Sequence, residues 1–417
     1  MSKIKIKKFG PIKEGFTGED SNEWMDIKKV TVFIGTQGSG KSTVAKLIST
    51  LTWIEKVLVR GDYEETEFTD GNKFMERCCA YHRLENYFKG SDGVDNTEIE
   101  YEGNAYHLTY KNGKFYVKKR NEPDFYFHPQ IMYVPAERNF ISTINNARLI
   151  KLSSDPLVDF LTEFDNAKRE IKESVALPIN KIKVEYNDLD DIVSISGDNY
   201  KVKLTEASSG FQSLIPLFLV SRYLAYSVKK QRDNSSHSNR DQWSLLKNKL
   251  TDLIRKNKIN EEDLSTLYTS FFQLNKSIFI NIVEEPEQNL FPSSQRQMLN
   301  SLIDFTNLNE GSELILTTHS PYIINYLTLA VKANSVLNKI NNASNKDELQ
   351  NKLNEIVPLD SVLSPEDLVI YELDDQGKII KLGDYKGLPS DENYLNDKLE
   401  ESNQLFTELI AIEESCQ

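Results

Sequence analysis

The nine residues from Gly35 to Thr43 (Gly-Thr-Gln-Gly-Ser-Gly-Lys-Ser-Thr) have the types and spacing of a loop that holds a triphosphate. The glycines let successive backbone N–H groups curl around an anion, and the start of a following helix adds partial positive charge. Residues 30–34 read as a buried strand and residues 44–58 as an amphipathic helix, which is the context that this motif requires. We predict that Lys41 reaches the β- and γ-phosphates and that Ser42 holds Mg²⁺. The predicted nucleotide-binding residues are Gly35, Gln37, Gly38, Ser39, Gly40, Lys41, Ser42 and Thr43.

Two apolar segments further along the chain end in side chains that suit catalysis. The segment 277–284 delivers Glu284 at its end, with Glu285 directly after it, and the carboxyl ends of strands in α/β sheets form the crevice where ligands bind. We expect Glu284 to support Mg²⁺ through water and Glu285 to position and deprotonate an attacking water. His319 follows the apolar segment 312–318. Because imidazole can donate and accept a hydrogen bond, we expect His319 to contact a γ-phosphate or that water.

Ser208, Ser209 and Gly210 stand at the start of a predicted helix that runs through residues 214–230. Hydroxyl and backbone N–H groups converge at a helix N-terminus, so these residues predict a second anion site. Taken alone, they also fit an ordinary serine N-cap.

In their order along the chain, the phosphate loop and the segments 208–212, 282–287 and 318–321 resemble the motifs of an ABC-type ATPase. The resemblance is to the RecF/SMC/OLD branch of that family and spans residues 1–330. It implies hydrolysis of ATP to ADP and phosphate with Mg²⁺ as cofactor. It also implies that segment 208–212 is a signature motif that contacts the γ-phosphate of ATP bound to a second subunit. Two ATP molecules would then lie between head-to-tail protomers of a homodimer or a higher homo-oligomer.

Three features depart from the pattern of this family. The signature reads Ser-Ser-Gly-Phe-Gln, with Phe211 where glycine is common, and Glu284 stands where aspartate is usual. The segment 134–139 (Val-Pro-Ala-Glu-Arg-Asn) lies where a glutamine is expected, so either Glu137 or Arg138 replaces that glutamine or the contact is absent. The same segment resembles ATPase subunits of bacterial anti-phage systems of the OLD-like, Septu and PARIS types.

The resemblance leaves two functions open. The first is a sensor or regulatory subunit of an anti-phage system that controls a separately encoded nuclease or toxin. The second is a RecF/SMC-like ATPase that binds DNA in repair or chromosome maintenance. The five histidines lack the spacing of an HNH nuclease, and the 98 residues after His319 are too few for the nuclease domain of OLD enzymes. We therefore expect no nuclease in this chain.

The resemblance implies an α/β fold, a P-loop ABC-type ATPase head with a mixed sheet, a small antiparallel β lobe and an inserted helical lobe. Asn112-Gly113 is a strong hairpin-turn signal inside the first lobe, and the polar residues 233–240 are expected to interrupt the helical pattern. The expected parts are an ATPase domain at 1–330, with an antiparallel lobe at 98–130, a lobe before the signature at 142–205 and a helical insertion at 225–275, followed by a helical and strand extension at 331–417.

The composition of the chain limits which binding partners are expected. The 50 basic and 63 acidic residues give a net charge of −13, which argues against a surface that is basic throughout. A local basic strip remains, with nine Lys or Arg against three Asp over residues 229–258, and residues 385–417 carry two Lys against eight acidic residues. Three cysteines give no disulfide framework. No apolar run approaches the roughly 20 residues of a membrane helix, so we expect a cytoplasmic protein without a membrane partner.

Overall fold

The computed structural model describes residues 2–18, 22–90, 93–120, 126–143, 154–255 and 277–415; for residues 234–255 and 402 it describes the backbone alone. The strands are β1 (Lys3–Lys7), β2 (Gly15–Phe16), β3 (Met25–Asp26), β4 (Val30–Gly35), β5 (Glu98–Glu102), β6 (Tyr106–Lys111), β7 (Lys114–Lys119), β8 (Pro129–Val134), β9 (Val175–Ala176), β10 (Lys183–Asn187), β11 (Ile192–Ser196), β12 (Lys201–Lys203), β13 (Ile278–Glu284), β14 (Glu313–Thr317), β15 (Leu368–Leu373), β16 (Lys378–Lys381), β17 (Asp384–Tyr385) and β18 (Leu388–Pro389).

The α-helices are α1 (Lys41–Arg60), α2 (Glu65–Thr69), α3 (Phe140–Thr143), α4 (Asp155–Arg169), α5 (Ser209–Arg255), α6 (Pro292–Asn307), α7 (Pro321–Ile340), α8 (Lys346–Ile356) and α9 (Tyr394–Ser415). A π-helical turn covers Phe74–Cys79, and short 3₁₀ turns cover Glu85–Tyr87, Ala136–Asn139, Leu204–Glu206, Leu359–Ser361 and Pro365–Asp367.

A seven-stranded sheet forms the centre of the fold, in the order β2-β16-β15-β4-β14-β13-β8. The five strands from β15 to β8 pair in parallel, β16 is antiparallel to β15, and β2 is parallel to β16. Parallel pairing brings the carboxyl ends of β4, β13 and β14 to one edge, where ligands bind in α/β sheets. The predicted α/β class with a mixed sheet is confirmed.

Both faces of this sheet are covered, which explains why its strands read as continuous apolar runs rather than alternating ones. On β4, Val30 and Val32 pack into one buried cluster with residues of α4, α5, α6 and α7. Phe33 points to the other face, where it joins a second buried cluster with Val44 and Leu47 of α1. The phosphate loop therefore lies between a strand and a helix that are each fixed by burial.

The predicted antiparallel lobe is a five-stranded sheet in the order β3-β1-β5-β6-β7. Asn112 and Gly113 form the turn between β6 and β7 with φ values of 53° and 73°, as expected for the hairpin turn that Asn-Gly favours. The amino-terminal strand β1 pairs along its whole length with β5. This lobe shares the second buried cluster with α1, and residue Pro129 already belongs to the central sheet.

The predicted extension at residues 331–417 contributes strands to the same central sheet. Strand β15 pairs in parallel with the phosphate-loop strand β4, from Leu368 opposite Val30 to Leu373 opposite Gly35. The acidic segment 372–375 ends β15 and enters the turn to β16. A boundary at residue 330 therefore does not separate two sheets, because β4 is flanked by strands from both sides of it.

Helix α5 is longer than the sequence indicated. It begins at Ser209 and continues to Arg255, through the polar residues 233–240 that were expected to interrupt it. Those eight residues contain neither glycine nor proline, so they weaken helix propensity without breaking the helix. Before α5, strands β9 to β12 form a four-stranded antiparallel sheet within the predicted lobe at 142–205. Residues 144–153 of that lobe and 256–275 of the predicted insertion lie outside the described residues.

Of the helices in the described ranges, none combines the length and the apolar character that crossing a membrane requires.

Candidate nucleotide-binding and hydrolysis site

The phosphate loop connects the buried strand β4 to the start of α1. Gly35 has φ of 138°, and a Cβ there would collide with the carbonyl oxygen of Leu373 on β15. Gly40, with φ of 107°, is the N-cap of α1. Only glycine accepts both conformations without strain. The first turn of α1 holds no acidic residue, so the partial positive charge of its N-terminus is left for an anion.

Lys41 folds back over the loop that precedes it. Its Nζ donates to the carbonyl oxygens of Gly35 at 2.9 Å and Thr36 at 2.6 Å. Burial lowers the pKa of Lys41 to about 8, an effect that the nearby carboxylates of Glu285 and Glu287 partly offset. A buried ammonium held by two neutral carbonyl oxygens is able to exchange them for phosphate oxygens, which carry charge and form stronger hydrogen bonds.

The remaining loop residues lie around Lys41 in different environments. Gln37 and Gly38 are exposed at the tip of the loop, whereas Ser39 is buried and its hydroxyl donates to the carbonyl of Thr36 at 2.9 Å. Ser42 is half-buried in the first turn of α1, and Thr43 is buried. Ser42 is thus the hydroxyl of this pair that remains partly accessible beside the loop.

Glu284 is the last residue of β13, and its backbone lies opposite Thr317 of β14. Its Oε2 accepts a hydrogen bond from the backbone N–H of Ala136 at 3.2 Å. Its Oε1 is buried and has no hydrogen-bond partner within the described ranges. A polar oxygen that is buried without a partner is costly, and a hydrated cation would satisfy it. The donor set of Ser42 and Glu284 therefore fits Mg²⁺, a cation that prefers oxygen ligands and retains several waters.

Glu285 is held in an unusual backbone conformation directly after β13. Its φ is 45°, its N–H donates to the carbonyl of Thr317 at 2.9 Å, and its carbonyl accepts a hydrogen bond from Arg138 at 2.6 Å. A positive φ at a non-glycine residue costs free energy and is maintained only where surrounding contacts enforce it. This backbone conformation directs the Glu285 carboxylate toward His319, with 3.9 Å between Glu285 Oε1 and His319 Nε2. The two side chains are 39% and 38% exposed.

The imidazole of His319 is kept neutral by its surroundings. Partial burial, and then the positive charge of Lys41, lower its pKa from the ordinary value. A neutral imidazole has one donor and one acceptor nitrogen. The effect of Lys41 on His319, together with the effect of Glu285 on Lys41, indicates that the three side chains share one electrostatic environment at the edge of the sheet.

Two further residues contribute to this site in roles that their sequence did not predict. Glu287 accepts a hydrogen bond from the backbone N–H of His319 at 2.7 Å, and burial raises the pKa of its carboxyl group. It thereby fixes the backbone that presents the imidazole. The only sequence signal was its place in the run Glu-Glu-Pro-Glu.

Arg138 is the second such residue, and it is fully buried. Its guanidinium donates to the carbonyl oxygens of Glu284 and Glu285 at 2.6 Å each and to that of Ser213 on α5 at 3.3 Å. Three chain segments are therefore joined by one side chain. Of the two candidates for the missing glutamine, Arg138 is occupied by these backbone contacts, whereas Glu137 is exposed.

The predicted signature residues lie where α5 begins. Ser208 and Ser209 are exposed at the start of α5, and no hydrogen bond or ion pair given for the described residues joins them to the loop. A Cβ on Gly210 would stand 2.9 Å from the carbonyl oxygen of Asn289, so this helix start packs closely on the segment after Glu285. Further along, the hydroxyl of Ser213 donates to Gln288 Oε1 at 3.0 Å.

Comparison with known proteins gives one family match. Residues 150–324, about two fifths of the chain, match the family model described as an AAA ATPase domain. No curated protein matches the chain. The matched segment contains β13 and β14, and it begins after the phosphate loop between β4 and α1.

Among solved structures, the chain is similar to the SMC head domain from Thermotoga maritima, with 12% identity, 78% of this chain and 90% of that chain covered, and a TM-score of 0.35. It is also similar to an SMC head bound to the C-terminal winged-helix domain of ScpA, with 9% identity, coverage of 92% and 98%, and a TM-score of 0.40. A third similar structure is a dimeric ATP-binding cassette in a post-hydrolysis state with ADP and phosphate, with 12% identity, coverage of 92% and 100%, and a TM-score of 0.31.

Proposed function

We propose that this chain is a cytoplasmic ATPase of the ABC type that converts ATP and water to ADP and phosphate. The observation that carries the proposal is the convergence of three side chains at the carboxyl ends of neighbouring parallel strands. Lys41 follows β4, Glu285 follows β13 and His319 follows β14. An ammonium, an exposed carboxylate and a neutral imidazole suit phosphate binding, proton abstraction and hydrogen bonding to the transferred phosphoryl group.

The loop residues would bind the phosphates and orient them. Lys41 would exchange its two carbonyl contacts for β- and γ-oxygens, while the backbone N–H groups of the loop and of the α1 N-terminus surround the anion. Ser42 and Glu284 would hold Mg²⁺, which when bound neutralises charge on the β- and γ-phosphates. The binding set is Gly35, Gln37, Gly38, Ser39, Gly40, Lys41, Ser42 and Thr43.

Glu285 would act as the general base. Its carboxylate is partly exposed, in a position where water has access. His319, neutral and 3.9 Å from Glu285, would donate a hydrogen bond to the γ-phosphate or orient the same water. Glu287 and Arg138 would act as positioning residues, because they hold the backbones of His319 and of Glu285 and contact no reacting atom themselves.

Lys41 gives this site a pH dependence. Because the pKa of Lys41 is about 8 and phosphate favours the protonated form, binding above that pH requires uptake of a proton. We expect the dissociation constant for ATP to change little from roughly pH 7 to 8 and to rise by up to about tenfold per pH unit above 8. Titration calorimetry in buffers of different pH measures this. Lys41→Arg is the matched control, since arginine stays charged; an equal pH dependence in both proteins would contradict the assignment.

The exposure of Ser208 and Ser209 supports a second part of the proposal. The exposed hydroxyl groups and the N–H groups at the start of α5 would form an anion site. This site would not bind the phosphates that the phosphate loop of the same chain holds. Two copies in head-to-tail arrangement would each offer this helix start to the γ-phosphate of ATP on the other. ATP, but not ADP, would then favour the closed dimer, and this difference in affinity makes the protein a switch.

Substitution of Ser209 by arginine tests this arrangement. The bulky side chain would occupy the space of the partner's γ-phosphate, so we expect ATP hydrolysis to fall at least tenfold while ATP binding to the isolated subunit is retained. Ser335→Arg, at an exposed serine on α7, is the matched control and should leave the rate unchanged. Full hydrolysis by Ser209→Arg would exclude a site shared between subunits.

For the cellular role, we propose a sensor or regulatory subunit of an anti-phage system that controls a separately encoded nuclease or toxin. The support is the resemblance of segment 134–139 to such ATPases. We expect a distinct effector protein to co-purify with this chain from the native host. An ATPase-deficient variant of the chain should release that effector. Recovery of the protein without any effector partner, together with tight duplex binding, would contradict this role.

The basic strip favours a second candidate, a DNA-binding ATPase of the RecF/SMC kind. Within the described side chains of this strip, Lys230 is exposed and Lys229 and Arg232 are partly exposed along α5. Duplex affinity that falls steeply with salt, and that falls again when these three residues are changed to glutamate, would support this role. Absence of salt-dependent duplex binding would exclude it.

A further inference from the structure

Helix α9 is anchored at its start and exposed over the rest of its length. Leu395 is buried in the cluster that covers one face of the central sheet. From Asp397 to Ser415, every residue whose side chain the structure describes is exposed, over about 27 Å of helix at 1.5 Å per residue. Helices in proteins gain most of their stability from tertiary packing, so the exposed part of α9 lacks its usual source of stability.

The exposed part of α9 has an apolar side and an acidic side. The large apolar side chains, which are 40–64% exposed, are those of Leu399, Leu405, Phe406, Leu409, Ile410 and Ile412. The helix also carries six acidic residues against one lysine. Because successive residues are rotated by about 100°, Glu401 and Glu408 border the apolar side on one flank. Glu400 and Glu414 border it on the other. Two α9 helices packed face to face would bring these like charges together, so α9 is not a suitable partner for itself.

A surface of opposite charge lies on α5. Arg222, Tyr226 and Lys230 recur every fourth residue, so they share one side of the helix. The guanidinium carbon of Arg222 lies over the Tyr226 ring, 5.2 Å from its centroid, and Tyr226 and Lys230 are exposed. These three residues, the basic face of α5, offer an aromatic ring to apolar side chains and two cations to carboxylates. A chain of net charge −13 therefore contains a surface that complements α9.

The two surfaces are not joined within one copy. Among the residues that the structure describes, no hydrogen bond or ion pair connects α9 with the basic face of α5. The Tyr226 ring and the apolar side of α9 are both exposed. A second copy of the chain is thus the occupant that the charges favour for α9.

Both helices begin at the edge where the proposed ATP-bound dimer closes. Burial raises the pKa of the Glu372 carboxyl group at the end of β15, and a hydrogen bond from the backbone N–H of Tyr394 partly offsets this. That bond places the start of α9 at the phosphate-loop edge, because β15 runs beside β4 as far as Gly35. Helix α5 begins at Ser209, in the predicted signature. In a head-to-tail dimer, the start of α9 in one copy would therefore lie near the start of α5 in the other.

The two helices also match in length. Counted from Leu395, Glu408 lies about 20 Å along α9. Counted from Ser209, Arg222 lies about 20 Å along α5, and Tyr226 lies one turn further. Parallel packing of the two helices would therefore place Glu408 beside Arg222, and the apolar residues of the following turn beside Tyr226.

We propose that, in the ATP-bound dimer, α9 of each copy packs along α5 of the other, with its apolar side against Tyr226 and its carboxylates against Arg222 and Lys230. This contact rests on the head-to-tail closure of the proposed function, and it identifies the surface that α9 binds. The two-fold symmetry of such a dimer repeats the contact, so each substitution acts twice. ATP and α9 would then hold the two copies together at separate places.

The apolar part of the contact is tested in the Glu285→Gln background, so that bound ATP persists. Phe406→Ser combined with Leu409→Ser should raise the dissociation constant of the ATP-bound dimer at least about tenfold, because burial of each large apolar side chain is lost in both contacts. Analytical ultracentrifugation over a dilution series with ATP and Mg²⁺ measures this constant. Gln404→Ser combined with Ala411→Ser, on the opposite side of α9, is the matched control and should stay within twofold of the parent.

A charge exchange tests which surfaces meet. In the same background, Arg222→Glu and Glu408→Lys should each weaken the dimer roughly two- to fivefold, because a favourable pair becomes two like charges. The two substitutions together restore opposite charges across the contact, so the doubly substituted protein should dimerise within twofold of the parent. A general effect of net charge or of helix stability would not produce this recovery.

Three results would overturn this contact alone. An ATP-bound dimer that is equally stable with Phe406→Ser and Leu409→Ser would show that α9 does not contribute to it. Failure of the charge exchange to restore the dimer would show that α9 meets a different surface. Loss of a co-purifying effector by the α9 variant, with its dimer intact, would show that another protein covers this face. If the Glu285→Gln parent itself remains a single subunit with saturating ATP, the closed dimer of the proposed function is excluded together with this contact.

Discussion

Replacement of Lys41 by alanine is expected to weaken ATP binding at least about 100-fold, or roughly 3 kcal/mol, which corresponds to two hydrogen bonds to charged groups. Lys41 is the only side chain that we propose to bridge the β- and γ-phosphates. Its ammonium is held over the loop by two carbonyl oxygens, which phosphate oxygens would replace. Titration calorimetry with ATP and Mg²⁺ measures the change directly.

Lys46→Ala is the matched control for that experiment. Lys46 lies on the same helix, more than one turn further along, and its side chain is half-buried. Loss of a lysine from α1 should therefore affect stability and overall charge similarly in both variants. Equal affinity of Lys41→Ala and the unmodified protein for ATP would remove the phosphate loop from the site assignment.

Glu285→Gln should lower kcat by roughly 10²- to 10⁴-fold, which is the usual contribution of a general base, and leave ATP affinity nearly unchanged. Glutamine keeps the size of the side chain and its reach toward His319 but cannot accept a proton. The backbone contacts that hold residue 285, to Thr317 and Arg138, do not involve the carboxylate. Steady-state kinetics gives kcat, and nucleotide retention on a desalting column shows whether the bound species is still ATP.

Glu310→Gln provides the comparison, because Glu310 is an exposed acid in the turn before β14, at the opposite end of the same sheet. It should hydrolyse ATP at the normal rate. Turnover by Glu285→Gln within a few fold of the unmodified protein would exclude Glu285 as the base and leave water activation to another group.

The parts of the fold that were predictable are those defined by local chemistry. The glycines of the phosphate loop need no distant partner to adopt positive φ, and the strand and helix beside them are recognisable from their own periodicity. The Asn112-Gly113 turn is local in the same way. The place of β15 was not predictable, because a short apolar segment near the end of the chain pairs with β4 near its beginning, and parallel pairing leaves no turn signal in the sequence.

The contacts of Arg138 inside the candidate site were likewise not predictable from the sequence. Arginine is seldom buried without partners, and its partners here are backbone carbonyls of Glu284, Glu285 and Ser213. Side-chain types do not reveal such contacts, whereas the folded backbone does. The proximity of Glu285 and His319 was predictable in outline, because both follow strands that were expected to share a sheet. Their catalytic roles remain predictions.

The mass of the protein in solution with different nucleotides tests the central claim most directly, which is that two copies close around ATP. One subunit has a mass of 47.9 kDa. With ATP and Mg²⁺, light scattering on the Glu285→Gln variant should give at least twice that mass, and with ADP it should give a smaller species. A single-subunit mass in the presence of saturating ATP, while the unmodified protein hydrolyses ATP at full rate under the same conditions, would contradict the account.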